Sequence, residues 1–227
     1  MNSHTQDRSI ATIARSALGL GAVVAALVAL APGAGAQPAE QAAGCVPAAP
    51  GAPNGKQWPV EPALTIDPAA AYTASLETTC GTVSIALDAA AAPRTVNSFA
   101  FLAAEGYFDH TPCHRLTTDG IYVLQCGDPT GTGTGGPGYR FDDENLAGAV
   151  YPAGTVAMAN AGPGTNGSQF FLVHADTALP PNYTPFGRVT AGMDVLSAVA
   201  AAGVLGGGPD GKPVAEVVLD TVTTTQG

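Results

Sequence analysis

The sequence predicts a mainly β domain, a closed antiparallel barrel with two α-helices packed on it. Two observations predict it. Short stretches that alternate apolar and polar residues recur from residue 72 to the C-terminus, with glycine, proline and aspartate between them. Only two stretches carry the apolar stripe of a helix. Many short strands with few helices favour a barrel over a parallel, helix-flanked sheet.

The elements follow in order. Residues 72–78 and 82–88 alternate with period two on either side of Cys80-Gly81, a hairpin signal. Pro93 opens a helix, since its fixed φ suits a first helical position. Val96, Phe99, Leu102 and Ala103 form its apolar stripe, and Gly106 ends it. Residues 113–126 read as two strands around Asp119-Gly120. Residues 129–138 are a Gly/Thr/Pro loop. Short strands are expected at 154–159, 168–173 and 185–189. Met193, Leu196 and Ala200 mark a second helix stopped by Gly203, and Val214 to Val222 reads as a last strand. Pattern alone does not set the topology.

The start of the chain has a different character. Arg8 and Arg15 precede an apolar run from Ala17 to Ala31, and Ala34-Gly35-Ala36 supplies the small residues of a cleavage site. Residues 1–36 therefore read as a signal peptide cut before Gln37. The apolar run is shorter than the ~20 residues of a membrane span. An uncleaved anchor remains open, as does lipidation of Cys45 within Ala42-Ala43-Gly44-Cys45. Residues 37–70, rich in Ala, Pro and Gly with Trp58 as the one tryptophan, have the composition of a flexible linker. Residues 71–227 are the size of one domain with its own core.

Removing residues 1–36 takes away Arg8, Arg15 and Asp7 and leaves 6 basic and 17 acidic residues, a balance of -11. That balance disfavours nucleic acid and anionic membrane surfaces as partners. Membrane contact would come only through an uncleaved or lipidated N-terminal segment. The four cysteines are Cys45, Cys80, Cys113 and Cys126. They form no Cys-x-x-Cys, and no histidine is spaced around them as a zinc ligand would be, so no metal site is expected. In an exported chain they permit two disulfides. Cys113 and Cys126 flank the expected hairpin and could face each other across it; four buried thiols are the alternative.

Residues 158–171, Met-Ala-Asn-Ala-Gly-Pro-Gly-Thr-Asn-Gly-Ser-Gln-Phe-Phe, do not read as scaffold. Small turn formers sit among the neutral hydrogen-bonding groups Asn160, Asn166 and Gln169, and Phe170-Phe171 close the run. That mixture suits a loop lining an apolar, amide-recognising groove. Together with Cys113-His114-Arg115 and Gln125-Cys126-Gly127-Asp128 upstream, it resembles the signature of the cyclophilin family of peptidyl-prolyl isomerases. The resemblance implies an eight-stranded barrel capped by a helix at each end, working as a monomer on proline-containing peptides and unfolded exported proteins.

The chemistry such a site performs can be stated from the amide bond. An X-Pro bond isomerises over ~18–20 kcal/mol because resonance is lost as it twists. In the twisted state the proline nitrogen regains a lone pair. A cation that donates to it only then is complementary to the transition state. Arginine suits this, being always charged with a rigid donor fork, and no cofactor, metal or nucleophile is needed. The resemblance gives that role to Arg115 and gives the holding of the substrate carbonyl to Gln125. Ten residues separate them, two more than the family usually has, so the turn at Thr117-Thr118-Asp119-Gly120 has lengthened. The resemblance places the proline pocket at Tyr122, Val123, Phe171, Leu179 and Tyr183, beside His114. It gives strand-like backbone bonds to Ala159 and Asn160, a bracing role to Gln169, and room for the peptide to Gly133–Gly136. The tryptophan that clasps cyclosporin A in many relatives is replaced by Ala178, which implies weak binding of that ligand. Two other readings are a peptide-binding or chaperone module with little turnover, and a serine hydrolase built on Ser168, which lacks the Gly-x-Ser-x-Gly elbow.

Overall fold

A computed structural model describes residues 44–227. The expected signal peptide, residues 1–36, lies outside the described residues. The strands are β1 (Tyr72–Thr78), β2 (Gly81–Leu87), β3 (Thr111–Pro112), β4 (Arg115–Thr117), β5 (Val123–Cys126), β6 (Thr155–Met158), β7 (Phe170–Val173), β8 (Pro185–Ala191), β9 (Asp210–Gly211) and β10 (Val218–Gln226). Two helices among the described residues are α1 (Pro93–Ala104) and α2 (Met193–Ala202).

All strand pairs are antiparallel, in the order β3-β10-β1-β2-β8-β6-β7-β5-β4-β9. β3 and β4 stand near opposite ends of this order, yet only Cys113 and His114 separate them in sequence. Residues 111–117 thus pair with β10 at their start and with β5 at their end, which curls the sheet back on itself. Taken as one strand, and with the two-residue β9 set aside, they leave the eight strands that the family resemblance implies.

The barrel interior is filled by the inward faces of the strands: Leu76, Ile85, Leu116, Leu124, Val156, Leu172 and Leu219 are almost wholly buried. Phe99 of α1 reaches into this core, its ring 5.5 Å from both Phe170 and Phe186. No side chain of its own N-terminus caps α1. Instead the Glu144 carboxylate accepts from the backbone N–H of Arg94 and Thr95 at 3.1 and 2.8 Å, satisfying donors every helix leaves open there. Gly106, at φ +62°, ends the helix as expected.

Two expectations are corrected. The last strand runs from Val218 to Gln226, later than Val214 to Val222, because Thr221, Thr223 and Thr225 pair with β1 over its length. Threonine is as fit for a pleated surface as valine, whereas Val217 only bridges to Cys113 through its carbonyl. The composition of residues 37–70 predicts a flexible linker, but from Gly44 onward the segment is a strap laid on the barrel. Cys45 is bonded to Cys80, which leaves no thiol for a lipid. The Trp58 ring stands edge-on to Phe101 at 5.0 Å and tilted against Tyr107 at 5.8 Å. Asn54 donates to the carbonyls of Glu105 and Gly106, and Thr65 donates to Asn97. A segment too poor in apolar residues to fold alone is ordered by partners the barrel supplies.

Candidate active site

The site is built on the β4–β5 hairpin. Arg115 and Gln125 are direct cross-strand partners, so the extra turn residues do not disturb their register. The lengthened turn is itself pinned. Gly120 takes φ +73°, the Thr117 hydroxyl accepts from the Val123 N–H at 3.0 Å, and Thr118 N–H donates to the Pro209 carbonyl. That last bond brings in β9, which pairs Asp210 with Thr117 and sets its carboxylate beside Arg115.

Arg115 donates from Nε and Nη2 to the two Asp210 oxygens, each at 2.7 Å, and from Nη1 to Gln125 Oε1 at 3.3 Å. Gln125 Nε2 donates onward to Gln169 Oε1 at 2.8 Å, and Gln169 Nε2 to the Gly135 carbonyl at 2.9 Å. This chain sets which end of each amide faces Arg115. A guanidinium has five N–H groups, so two remain for a ligand. The hydrogen bonds to Asp210 raise the Arg115 pKa, and the same contact holds the Asp210 carboxyl below its ordinary value. The guanidinium is therefore a fixed cation with side-chain exposure of 37%.

Beside it the strand register lines up Arg115, Gln125, Phe171 and Ala157 across β4, β5, β7 and β6. Val123, Tyr151, Ala157, Phe171 and Val173 form a second apolar cluster, separate from the barrel core, with Ala159, Leu179 and Tyr183 packed on it. Phe171 is its floor, only 4% exposed, and the Tyr183 ring stands edge-on to it at 5.6 Å. Tyr151, which no sequence pattern singles out, donates its hydroxyl to the Tyr183 carbonyl at 2.8 Å and accepts from the Tyr183 N–H. The structure thus brings Val123, Phe171, Leu179 and Tyr183 together. Tyr122 does not join them: its ring stands edge-on to His174 at 5.9 Å, and its N–H is held by the Thr177 hydroxyl.

The glycine loop is organised by Asp128, which is fully buried. Its carboxylate accepts from the N–H and hydroxyl of Thr130 and from the N–H of Gly133 and Gly135. Burial pushes this carboxyl up, but those bonds together outweigh it and hold it below its ordinary value. His114 lies under the loop, with neither ring nitrogen partnered among the described residues. Its burial lowers its pKa, Asp128 opposing and Arg115 assisting to a smaller extent, so it is neutral at pH 7. Ala159 has its N–H bonded to the Gln169 carbonyl, whereas the backbone N–H and C=O of Asn160 have no partner among the described residues. The Asn160 side chain is tied to Asn182 and Gly162.

Ser168 is buried, donates its one proton to the Gly127 carbonyl at 2.7 Å and lies 3.3 Å from the Tyr107 hydroxyl, so it is no exposed nucleophile. The hairpin disulfide Cys113–Cys126 is present.

The family model described as cyclophilin type peptidyl-prolyl cis-trans isomerase/CLD matches residues 73–224. The chain belongs to the cyclophilin family. Its curated relatives include the probable peptidyl-prolyl cis-trans isomerase B of Mycobacterium tuberculosis, 50% identical over 162 residues, which are 65% of this chain and 53% of that protein. The protein of that name in Mycobacterium leprae is 46% identical over 184 residues, 75% of this chain and 60% of the relative. The chain thus spans little more than half the length of these mycobacterial relatives. A peptidyl-prolyl cis-trans isomerase-like 1 of Neurospora crassa is 43% identical over 150 residues, 64% of this chain and 89% of the relative. Among solved structures, a Cryptosporidium parvum cyclophilin type peptidyl-prolyl cis-trans isomerase superposes with TM-score 0.61 at 29% identity, covering 69% of this chain and 99% of that one. The same protein in the presence of the dipeptide Ala-Pro matches at 30% identity, again with TM-score 0.61, covering 68% of this chain and 99% of that one. Asp210, which sequence reading missed, is 95 residues from Arg115, and no local pattern marks it as a partner of this cyclophilin's arginine.

Proposed function

We propose that this cyclophilin catalyses cis–trans isomerisation of X-Pro bonds in mobile or unfolded polypeptides, with Arg115 donating to the twisted proline nitrogen. The observation that carries this reading is one geometry. A charged guanidinium, fixed by Asp210 and Gln125, keeps two N–H groups for a ligand, and its partner Gln125 pairs across the sheet with Phe171 of the second apolar cluster. The ring would enter the cluster of Val123, Phe171, Leu179 and Tyr183, since burial of apolar area drives such binding. Gln125 would hold the carbonyl before proline, and the backbone of Asn160 would pair with an extended peptide. Arg115 stabilises the twisted bond more than the planar one, so its effect falls on kcat.

The test is catalysed isomerisation of an Ala-Pro-Phe-type peptide by wild type and Arg115→Ala. A rate gain that Arg115→Ala reduces ~100-fold, about 2.7 kcal/mol, supports the mechanism. A folded wild type without any gain would make the chain a peptide-binding module instead.

Two disulfides support a working place in an oxidising compartment outside the cytoplasm, where the clients would be exported chains. Ala178 stands where relatives carry the tryptophan that clasps cyclosporin A, and Trp58, the one tryptophan, is turned onto Phe101 and Tyr107. Calorimetry should give a cyclosporin A Kd weaker than ~1 µM.

A further inference from the structure

A groove opens at Gln125, the hydrogen-bond partner of Arg115, and leads toward the strap. Its volume is about 1070 Å³, and it runs from Gln125 and Gln169, past Gly135, Gly136 and Asn160, to Val60 and Glu61 on the strap. We propose that strap residues 57–61 are a second wall of the substrate site, taking an apolar side chain of the same peptide from a position flanking the X-Pro unit. This deepens the isomerase reading and rests on it.

Three independent features converge on this wall. Val60 is 69% exposed at the rim, so a peptide side chain laid on it would remove apolar surface from water. The strap is already rigid there. Trp58 N–H donates to the Pro137 carbonyl at 2.8 Å, and Glu61 is paired with Arg94 at 2.7 Å. Little ordering cost then remains for binding. Gly136, next to the Pro137 that holds the strap, has open space where a side chain would stand, and the Asn160 backbone has both hydrogen-bonding groups free among the described residues. An extended peptide fits between an edge of that kind and a bare glycine floor.

The same observations set the chemistry of the ligand. Glu61 is paired with Arg94 through Oε1, which leaves Val60 as the exposed apolar contact the strap offers, while the exposed Arg140 lines the same groove. Residues 57–61 also lie outside the matched family region, 73–224. The preference they confer would therefore come from outside the barrel that defines the family.

The experiment uses the full chain and two peptides with one X-Pro core, a short one and one extended on both sides by leucine-bearing residues. Wild type should favour the long peptide. Val60→Ser should lower its kcat/KM relative to the short peptide about three- to tenfold, mainly through KM, as expected for one partly buried side chain. Leu205→Ser, at another exposed apolar residue off the groove, should leave that ratio alone. A Val60→Ser ratio equal to wild type, or a wild type indifferent to length, overturns the wall. No rate gain on either peptide would overturn the isomerase reading alone. The affinity ratio of the two peptides by calorimetry, in wild type and Val60→Ser, would then decide the wall.

Discussion

Asp210 is the residue on which the geometry of Arg115 depends most. An arginine side chain has about 2 kcal/mol of rotamer entropy to lose, and bidentate pairing with a carboxylate removes most of that freedom before substrate arrives. The pair is half exposed, so its effect is on orientation more than on stability. Asp210→Asn should lower kcat severalfold with little change in KM, and Asp210→Ala should lower it further. The sign of the pH effect follows from the depressed pKa. A carboxylate lowered in the folded protein keeps its contribution above the ordinary value of 3.8 and loses it only as pH falls through the lowered one. Wild-type kcat/KM should therefore hold level from neutral pH down to about pH 4 and fall below it, and Asp210→Asn should lack that acid limb. Loss of rate already near pH 6 would refute the assignment. Arg115 and Gln125 were legible in sequence because motifs carry them. Asp210 was not, because its meaning comes from β9 pairing with β4, a contact between segments far apart in the chain.

At the scale of elements, the glycine loop separates fold from binding. An added Cβ at Gly135 would collide with the Asp128 carboxylate, whereas one at Gly136 would meet nothing. Gly135→Ala should cost at least ~2 kcal/mol in urea unfolding, because it dislodges a buried charge from its donors. Gly136→Ala should unfold like wild type yet lower kcat/KM on peptides by narrowing the groove. Equal stability for the two variants would contradict the role given to Asp128. Most elements were legible because period-two and helical patterns are strong over seven to twelve residues: β1, β2, α1 and α2 fall where expected. The last strand was misplaced because apolar pattern favours Val214 and Val217, while pairing favours the threonines opposite β1. Tyr151 was missed because it belongs to no periodic stretch and is made important by packing alone.

At the scale of the whole molecule, the two disulfides have different tasks. Cys45–Cys80 ties the strap to the β1–β2 turn across 35 residues, and Cys113–Cys126 closes 13 residues around the β4–β5 hairpin. Loop-closure entropy assigns each about 3–4 kcal/mol. The Cys45→Ser/Cys80→Ser double variant should unfold at lower urea but keep its rate on a short peptide, since all barrel strands start after residue 71. Cys113→Ser/Cys126→Ser should lose both stability and rate, because Cys126 directly follows Gln125 and Cys113 just precedes Arg115. Identical kinetic losses in the two pairs would show that the disulfides act only on global stability.

The sequence by itself determined the barrel class, the two helices, the hairpin that presents Arg115 and Gln125, and the apolar character of Phe171, Leu179 and Tyr183. These are local: side-chain periodicity, turn chemistry and motif spacing lie within a few residues. Only the tertiary structure decided that Asp210 holds Arg115, that Gln169 reaches Gly135, that Ser168 is buried, and that residues 45–70 are a strap. Each of those joins segments distant in sequence, and a segment too polar or too small-sided to order itself takes its conformation from the surface it meets.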